Sequence, residues 1–277
     1  MINAIGFATG IKGRAHLTES VNASTNQSSA TDSPNNSPAR IPPALAFNYS
    51  LMKSILLLAT SLNLGFATAQ NTNPVDPAKF DHPVRVACVG DSITQGVGAK
   101  RGKSWPAQLQ QMLGEKWKVE NFGLSGTTLM NSGNKPYQKS PHFKRAKASA
   151  ADVVVIMLGT NDTKPNNWKH FAKDYEKDYR DLISHFSSQA GKPRIFLCLP
   201  PYIAKDGNWG INDPNTVAQK PVVIKIAKGL GLGLIDVHSA LRGKDDLIPD
   251  KVHPNTGGAT VIAKAVHLGL TDNKATD

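Results

Sequence analysis

Val86-Ala87-Cys88-Val89-Gly90-Asp91-Ser92-Ile93-Thr94-Gln95-Gly96 decides how the rest of the chain is read. An apolar run of strand type, Val84 to Val89, stops at Gly90. A short polar turn follows, with Ser92 at its apex. In an open α/β sheet, ligands sit beyond the carboxyl ends of the strands, so this serine is well placed to meet one. An Oγ nucleophile needs exposure, a base to take its proton, and donors for the oxyanion that forms. Gly-Asp-Ser is also ordinary turn chemistry, so the turn alone does not separate the two readings.

Working outward, strand and helix signals alternate to the end of the chain. Strand-type runs cover Val84–Val89, Lys118–Asn121, Val153–Leu158, Arg194–Leu199 and Gly233–Val237. Helical patterns lie around Ser104–Glu115, Trp168–Phe186, Thr216–Lys228 and Thr256–Leu268. In the second of these, Trp168, Phe171, Ala172, Tyr175, Tyr179, Leu182, Ile183 and Phe186 repeat at three and four, which makes one apolar face against a sheet. Alternating strands and helices predict a parallel sheet covered on both faces, an α/β fold. Cys88 and Cys198 sit in separate strand runs. In a sheet ordered 2-1-3-4-5 a third strand lies between them, so both are read as buried free thiols.

The amino end reads differently. Residues 1–51 are rich in Ser, Asn, Thr, Ala and Pro without apolar periodicity, and are read as a disordered or mis-called upstream extension. Met52-Lys53-Ser54, the run Ile55-Leu56-Leu57-Leu58-Ala59 and Ala67-Thr68-Ala69 have the three parts of a signal peptide, over 52–69. That predicts a periplasmic or extracellular protein starting at Gln70, with no membrane span in its mature form. Residues 70–83 are read as a linker, 84–270 as a single domain and 271–277 as a tail. The formal net charge is +11. Most bases are scattered, and the cluster at His142–Lys147 reads as a solvated helix face, so no nucleic-acid partner is expected. Gly96–Ser104 misses both the P-loop and the dinucleotide fingerprint by one residue. No CxxC or HExxH occurs, so no metal is expected.

Three further stretches carry chemistry. Asn121-Phe122-Gly123-Leu124-Ser125-Gly126 ends a strand in a glycine turn, where a backbone N–H can approach a ligand closely. Gly159-Thr160-Asn161-Asp162 follows a strand buried on both faces. The Asn161 carboxamide can donate to an oxyanion, and Asp162 reads as a cap. Asp250-Lys251-Val252-His253-Pro254-Asn255 places a carboxylate three residues before an imidazole, which can hold Nδ1–H and leave Nε2 free to take a proton.

With Gly-Asp-Ser-Ile-Thr-Gln-Gly, these blocks in this order resemble the SGNH (GDSL-type) hydrolase family across essentially all of 84–268. The resemblance implies a three-layer α/β/α fold with a five-stranded parallel sheet of flavodoxin-like type. It makes Ser92 the nucleophile, His253 the base and Asp250 its orienting partner. It makes the Ser92 and Gly123 N–H groups and the Asn161 side chain the oxyanion hole. The reaction it implies is ester hydrolysis through an acyl-enzyme, with no cofactor. The lack of a Gly-x-Ser-x-Gly elbow agrees with this rather than with the ordinary α/β-hydrolase arrangement.

Family members act on acetylated sugars, lipids and thioesters, so a lipolytic esterase of the lysophospholipase or thioesterase type stands as the alternative. A binding protein that has lost catalysis is disfavoured by the intact residue set. Gly-Thr-Asn-Asp-Thr-Lys-Pro and Cys-Leu-Pro-Pro resemble secreted sialate and polysaccharide O-acetylesterases. The loops that should rim the site are polar and aromatic, at 131–137, 164–168, 200–202 and 205–214. They offer Tyr202 and Trp209, flanked by Asn208, Asn212 and Asp213, as substrate contacts. Such surfaces suit the C–H face and hydroxyls of a sugar. A small-molecule or oligosaccharide ester is therefore the expected substrate. The oligomeric state is not legible in the sequence.

Overall fold

The structure, a computed structural model, describes residues 74–272. The upstream extension, the signal peptide and residues 273–277 lie outside the described residues. In chain order the elements are β1 (Val84–Gly90), α1 (Ser92–Gln95), α2 (Trp105–Leu113), β2 (Trp117–Gly123), α3 (Pro141–Ala148) and β3 (Val153–Met157). There follow α4 (Pro165–Phe171), α5 (Tyr175–Ser187), β4 (Arg194–Cys198), α6 (Asp213–Leu230), β5 (Gly233–Ile235), α7 (Val237–Leu241) and α8 (Thr256–Thr271).

The strands form one parallel sheet ordered β2-β1-β3-β4-β5, as the pattern predicts. Gly90 pairs with Gly123 on one side and Met157 on the other. The carboxyl ends of the three strands are thus level, and the loops that follow them meet at the point where the strand order reverses.

Every residue of β3 is buried, and alternate side chains supply two cores. Val154 and Ile156 join Phe143, Tyr175, Tyr179, Phe186 and Val223 from α3, α5 and α6. Val153, Val155 and Met157 join Trp105, Leu109, Leu241 and Ile262 from α2, α7 and α8. Trp105 and Phe186 are fully buried, and truncating either to Ala costs about 3–5 kcal/mol. These two layers make the α/β/α sandwich. Cys88 on β1 and Cys198 on β4 are buried free thiols with β3 between them.

Two local expectations need correction. Trp168–Phe186 is not one helix: α4 ends at Phe171, whose φ of −124° leaves the helical range, and a 3-10 turn at Ala172–Asp174 leads into α5. The apolar stripe crosses the break because Trp168 and Phe171 pack on the same core as Tyr175. β5 stops at Ile235 because Asp236 caps α7, its side chain accepting the Ser239 N–H at 2.8 Å. The basic segment at 142–147 lies on α3 with Lys144, Arg145 and Lys147 exposed, the solvated helix face expected, while Phe143 and Ala146 turn into the core.

Residues 74–83, read as a linker, carry a 3-10 turn at Pro77–Lys79. Val75 is buried there, its N–H donating to the Leu270 carbonyl oxygen at 2.8 Å. Among the described residues no helix is long and apolar enough to cross a membrane.

Candidate active site

Ser92 is the first residue of α1, not the apex of an open turn, and is 4% exposed. Asp91 caps this short helix by accepting the Ile93 N–H at 3.0 Å, and Gly96 ends it in the left-handed conformation. At the first helical position the Ser92 N–H has no intrahelical acceptor.

Across the cleft, His253 Nε2 lies 2.9 Å from Ser92 Oγ. His253 Nδ1 lies 2.7 Å from Asp250 Oδ2. The other carboxylate oxygen, Oδ1, accepts the N–H groups of Val252 at 3.0 Å and His253 at 2.6 Å. One oxygen of Asp250 therefore shapes the loop while the other holds the imidazole. Burial pushes the Asp250 carboxyl up, but the His253 N–H, the imidazole and the Val252 N–H together bring it below the usual carboxylate value. An anionic Asp250 accepts a hydrogen bond from Nδ1–H, which leaves Nε2 as the acceptor facing Ser92.

Asn161 is buried, 3% exposed, and its Nδ2 donates to the Thr127 carbonyl oxygen at 3.1 Å. A carboxamide nitrogen carries two protons, so one remains for a ligand. Asp162 does not cap a helix. Its two oxygens accept the N–H groups of Leu129 and Met130, both at 2.8 Å, and so fix the loop that carries Thr127. Burial pushes the carboxyls of Asp162 and Asp91 up, to about 6 and about 7.

Gly123 does not fit the donor role expected of it. Its N–H donates to Asn121 Oδ1 at 2.9 Å, and a Cβ there would collide with the backbone of Thr94 and Gln95. This glycine lets β2 pack against α1. Three residues on, Gly126 adopts a φ of 78° in the turn closed by the Thr127 N–H on the Leu124 carbonyl oxygen, 3.3 Å. That turn is held against α1 by the Ser125 N–H on Gln95 Oε1 at 2.6 Å, and against Asn161 through Thr127. The signal for Gly126 was present in the sequence as the second glycine of the same block.

The rim residues divide. Trp209 is 56% exposed, its ring centroid 5.5 Å from that of His253. Tyr202 instead packs edge-on against His238 at 5.7 Å and donates its hydroxyl to Asp245 Oδ1 at 3.1 Å, as a structural residue does. The rim amides are largely engaged in tying loops together. Asn131 Nδ2 reaches Asp181, Asn134 and Asn167 bond each other, and Asn212 Nδ2 donates to the Thr163 and Gly210 carbonyl oxygens. Asp213 accepts the Ile203 N–H at 3.0 Å and lies 3.1 Å from Nε2 of the buried His238. The sequence marks these side chains only as polar groups of the rim, because which of them are already paired depends on the fold.

Residues 88–261 match the family model described as GDSL-like Lipase/Acylhydrolase family. The chain is 39% identical over 216 residues to an acetylxylan esterase of Xylanibacter ruminicola, a match that covers 70% of this chain and 44% of that protein. The chain thus spans less than half the length of that relative. Among solved structures, a carbohydrate acetylesterase family member from Sinorhizobium meliloti superposes with a TM-score of 0.55 at 22% identity, covering 68% of this chain and 99% of that one. The aryl esterase of M. smegmatis gives 0.55 at 22% identity, covering 66% and 96%. Both share the fold.

Proposed function

The chain belongs to the GDSL-like lipase/acylhydrolase family, and from that premise we propose that it is a serine carboxylic ester hydrolase that removes short acyl groups, acetyl foremost, from carbohydrate esters. The observation that carries the reading is the hydrogen-bonded chain from Ser92 through His253 to Asp250.

In this mechanism Ser92 Oγ adds to the ester carbonyl carbon as its proton passes to His253 Nε2. The oxyanion accepts hydrogen bonds from the Ser92 N–H, the free proton of Asn161 Nδ2 and the Gly126 N–H, which takes the place of Gly123. Collapse breaks the ester C–O bond, and the alcohol leaves with the proton from Nε2. Water then attacks the acyl-enzyme as one of its protons passes to Nε2, and collapse breaks the acyl–Oγ bond, releasing the acid while Nε2 returns that proton to Ser92 Oγ. Asp250 holds the imidazole throughout and stabilises its charged form. No step calls for a cofactor.

The carbohydrate part rests on two supports: the acetylxylan esterase relative and the exposed indole at the cleft. Export by the 52–69 segment belongs to the same proposal. The test compares acetyl, butyryl and octanoyl esters of one alcohol, then acetylated oligosaccharides. Acetyl preference with acetate release from an oligosaccharide is the expected result. Octanoyl preference with no acetate from any sugar contradicts it and leaves a lipolytic esterase.

A further inference from the structure

Trp209 combines two unfavourable features. It exposes 56% of a large apolar side chain, and its φ of 52° lies in the left-handed region that a Cβ disfavours. Its own loop holds it there. Asn208 Oδ1 accepts the Trp209 N–H at 2.8 Å, and the Ile211 N–H donates to the Asn208 carbonyl oxygen at 2.8 Å. Strain maintained at the edge of a site is an observation from which a functional role is inferred.

The loop is also tied to both arms of the catalytic apparatus. The Ala204 N–H donates to the Lys251 carbonyl oxygen at 3.0 Å, beside Asp250. Asn212 Nδ2 donates to the Thr163 carbonyl oxygen at 3.2 Å, two residues beyond Asn161. Asp213 closes the loop's ends by accepting the Ile203 N–H, and His238 holds Asp213 in turn. The indole is therefore fixed relative to the base and to the oxyanion side together, with its ring tilted 49° over His253.

We propose that Trp209 is the specificity-determining residue of this site: a platform on which the sugar ring bearing the scissile ester rests its C–H face. The proposal rests on the carbohydrate-ester reading above and deepens it. An indole offers a wide apolar face at small cost in side-chain entropy, and a pyranose has a matching face of C–H groups. The neighbouring amides are engaged in holding the loops, which leaves the indole as the large exposed recognition surface beside His253.

The experiment measures kcat and KM of the wild type, Trp209→Ala and Trp209→Tyr on acetylated xylo-oligosaccharides and on ethyl acetate, which has no ring, together with Tm. Trp209→Ala should raise KM for the oligosaccharide about tenfold or more, as expected for loss of a stacking contact. The ratio of kcat/KM for oligosaccharide over ethyl acetate should fall by a similar factor. Trp209→Tyr should recover most of it, and Tm should move by no more than about 2 °C, because more than half of Trp209 is exposed. An unchanged oligosaccharide KM in Trp209→Ala overturns the platform and leaves the carbohydrate reading standing. An equal loss of kcat on both substrates also overturns it, because the ring then serves only to orient His253. A wild type that hydrolyses ethyl acetate but releases no acetate from any oligosaccharide overturns both proposals.

Discussion

Asn161 Nδ2 donates to the Thr127 carbonyl oxygen at 3.1 Å, and through that bond the carboxamide proposed as an oxyanion donor is oriented by a loop some thirty residues earlier in the chain. Asn161→Ala removes the donor and should lower kcat by about 10²–10³-fold with a small change in KM, the usual cost of one oxyanion contact. Steady-state kinetics on a small acetyl ester decides this. A loss confined to KM would assign Asn161 to ground-state binding instead.

Asp162 supports that arrangement without touching a substrate. Asp162→Ala leaves the buried N–H groups of Leu129 and Met130 without their acceptor. The expected destabilisation is about 3 kcal/mol, a fall in Tm of roughly 6–12 °C for a domain of this size. Thermal unfolding followed by circular dichroism measures it.

The buried carboxyls make stability depend on pH. Asp91 and Asp162 have folded pKa values of about 7 and about 6, above the 3.8 of the unfolded chain. The folded state therefore keeps these protons longer than the unfolded one. Their contribution is complete below the unfolded value and is lost as pH rises through 6 and 7. Asp250 and Asp152, the latter accepting hydrogen bonds from the Arg85 guanidinium and backbone N–H, run the other way, their contribution being lost as pH falls below the ordinary carboxylate range. Between about pH 5 and pH 8 the first pair dominates among the carboxyls, so Asp91→Asn should show a shallower decline of Tm across that window than the wild type. Parallel slopes for the two proteins would contradict this.

The two glycines of the second block should separate. Gly123→Ala forces a methyl into the Thr94–Gln95 backbone and should lower Tm. Gly126→Ala strains the turn at its φ of 78°. It should lower kcat about tenfold or more while leaving KM nearly constant, because the Gly126 N–H is assigned to the transition state. A Gly123→Ala protein that is fully stable and loses only kcat would return the donor role to Gly123.

Much of this architecture was legible because it follows from periodicity. The run Val153–Leu158 could only be a strand buried on both faces, and the order of strand and helix patterns specified a parallel sheet. Serine, histidine and aspartate were legible because their spacing and turn context are local. Local signals fail where the deciding partner is distant. The packing of Gly123 on the Thr94–Gln95 backbone and the pairing of Asn134 with Asn167 depend on which segments meet. The break at Phe171 left no mark either, since both helices press the same apolar stripe on one core. The positive φ of Trp209 has no signature in a residue type that disfavours it.

Export is tested directly by amino-terminal sequencing of protein recovered outside the cytoplasm. Cleavage after Ala69 should give a chain that begins at Gln70. Recovery of residues 1–51 in that material would contradict the proposal.

The central claim is that Ser92 carries the acyl group while His253 moves its proton. Turnover of a small acetyl ester by Ser92→Ala, His253→Ala and the double variant tests it most directly. Each single variant should lose on the order of 10⁴-fold or more in kcat, and the double should be hardly worse than either, because the two act as a unit. Retention of most of the wild-type kcat by Ser92→Ala would contradict the account.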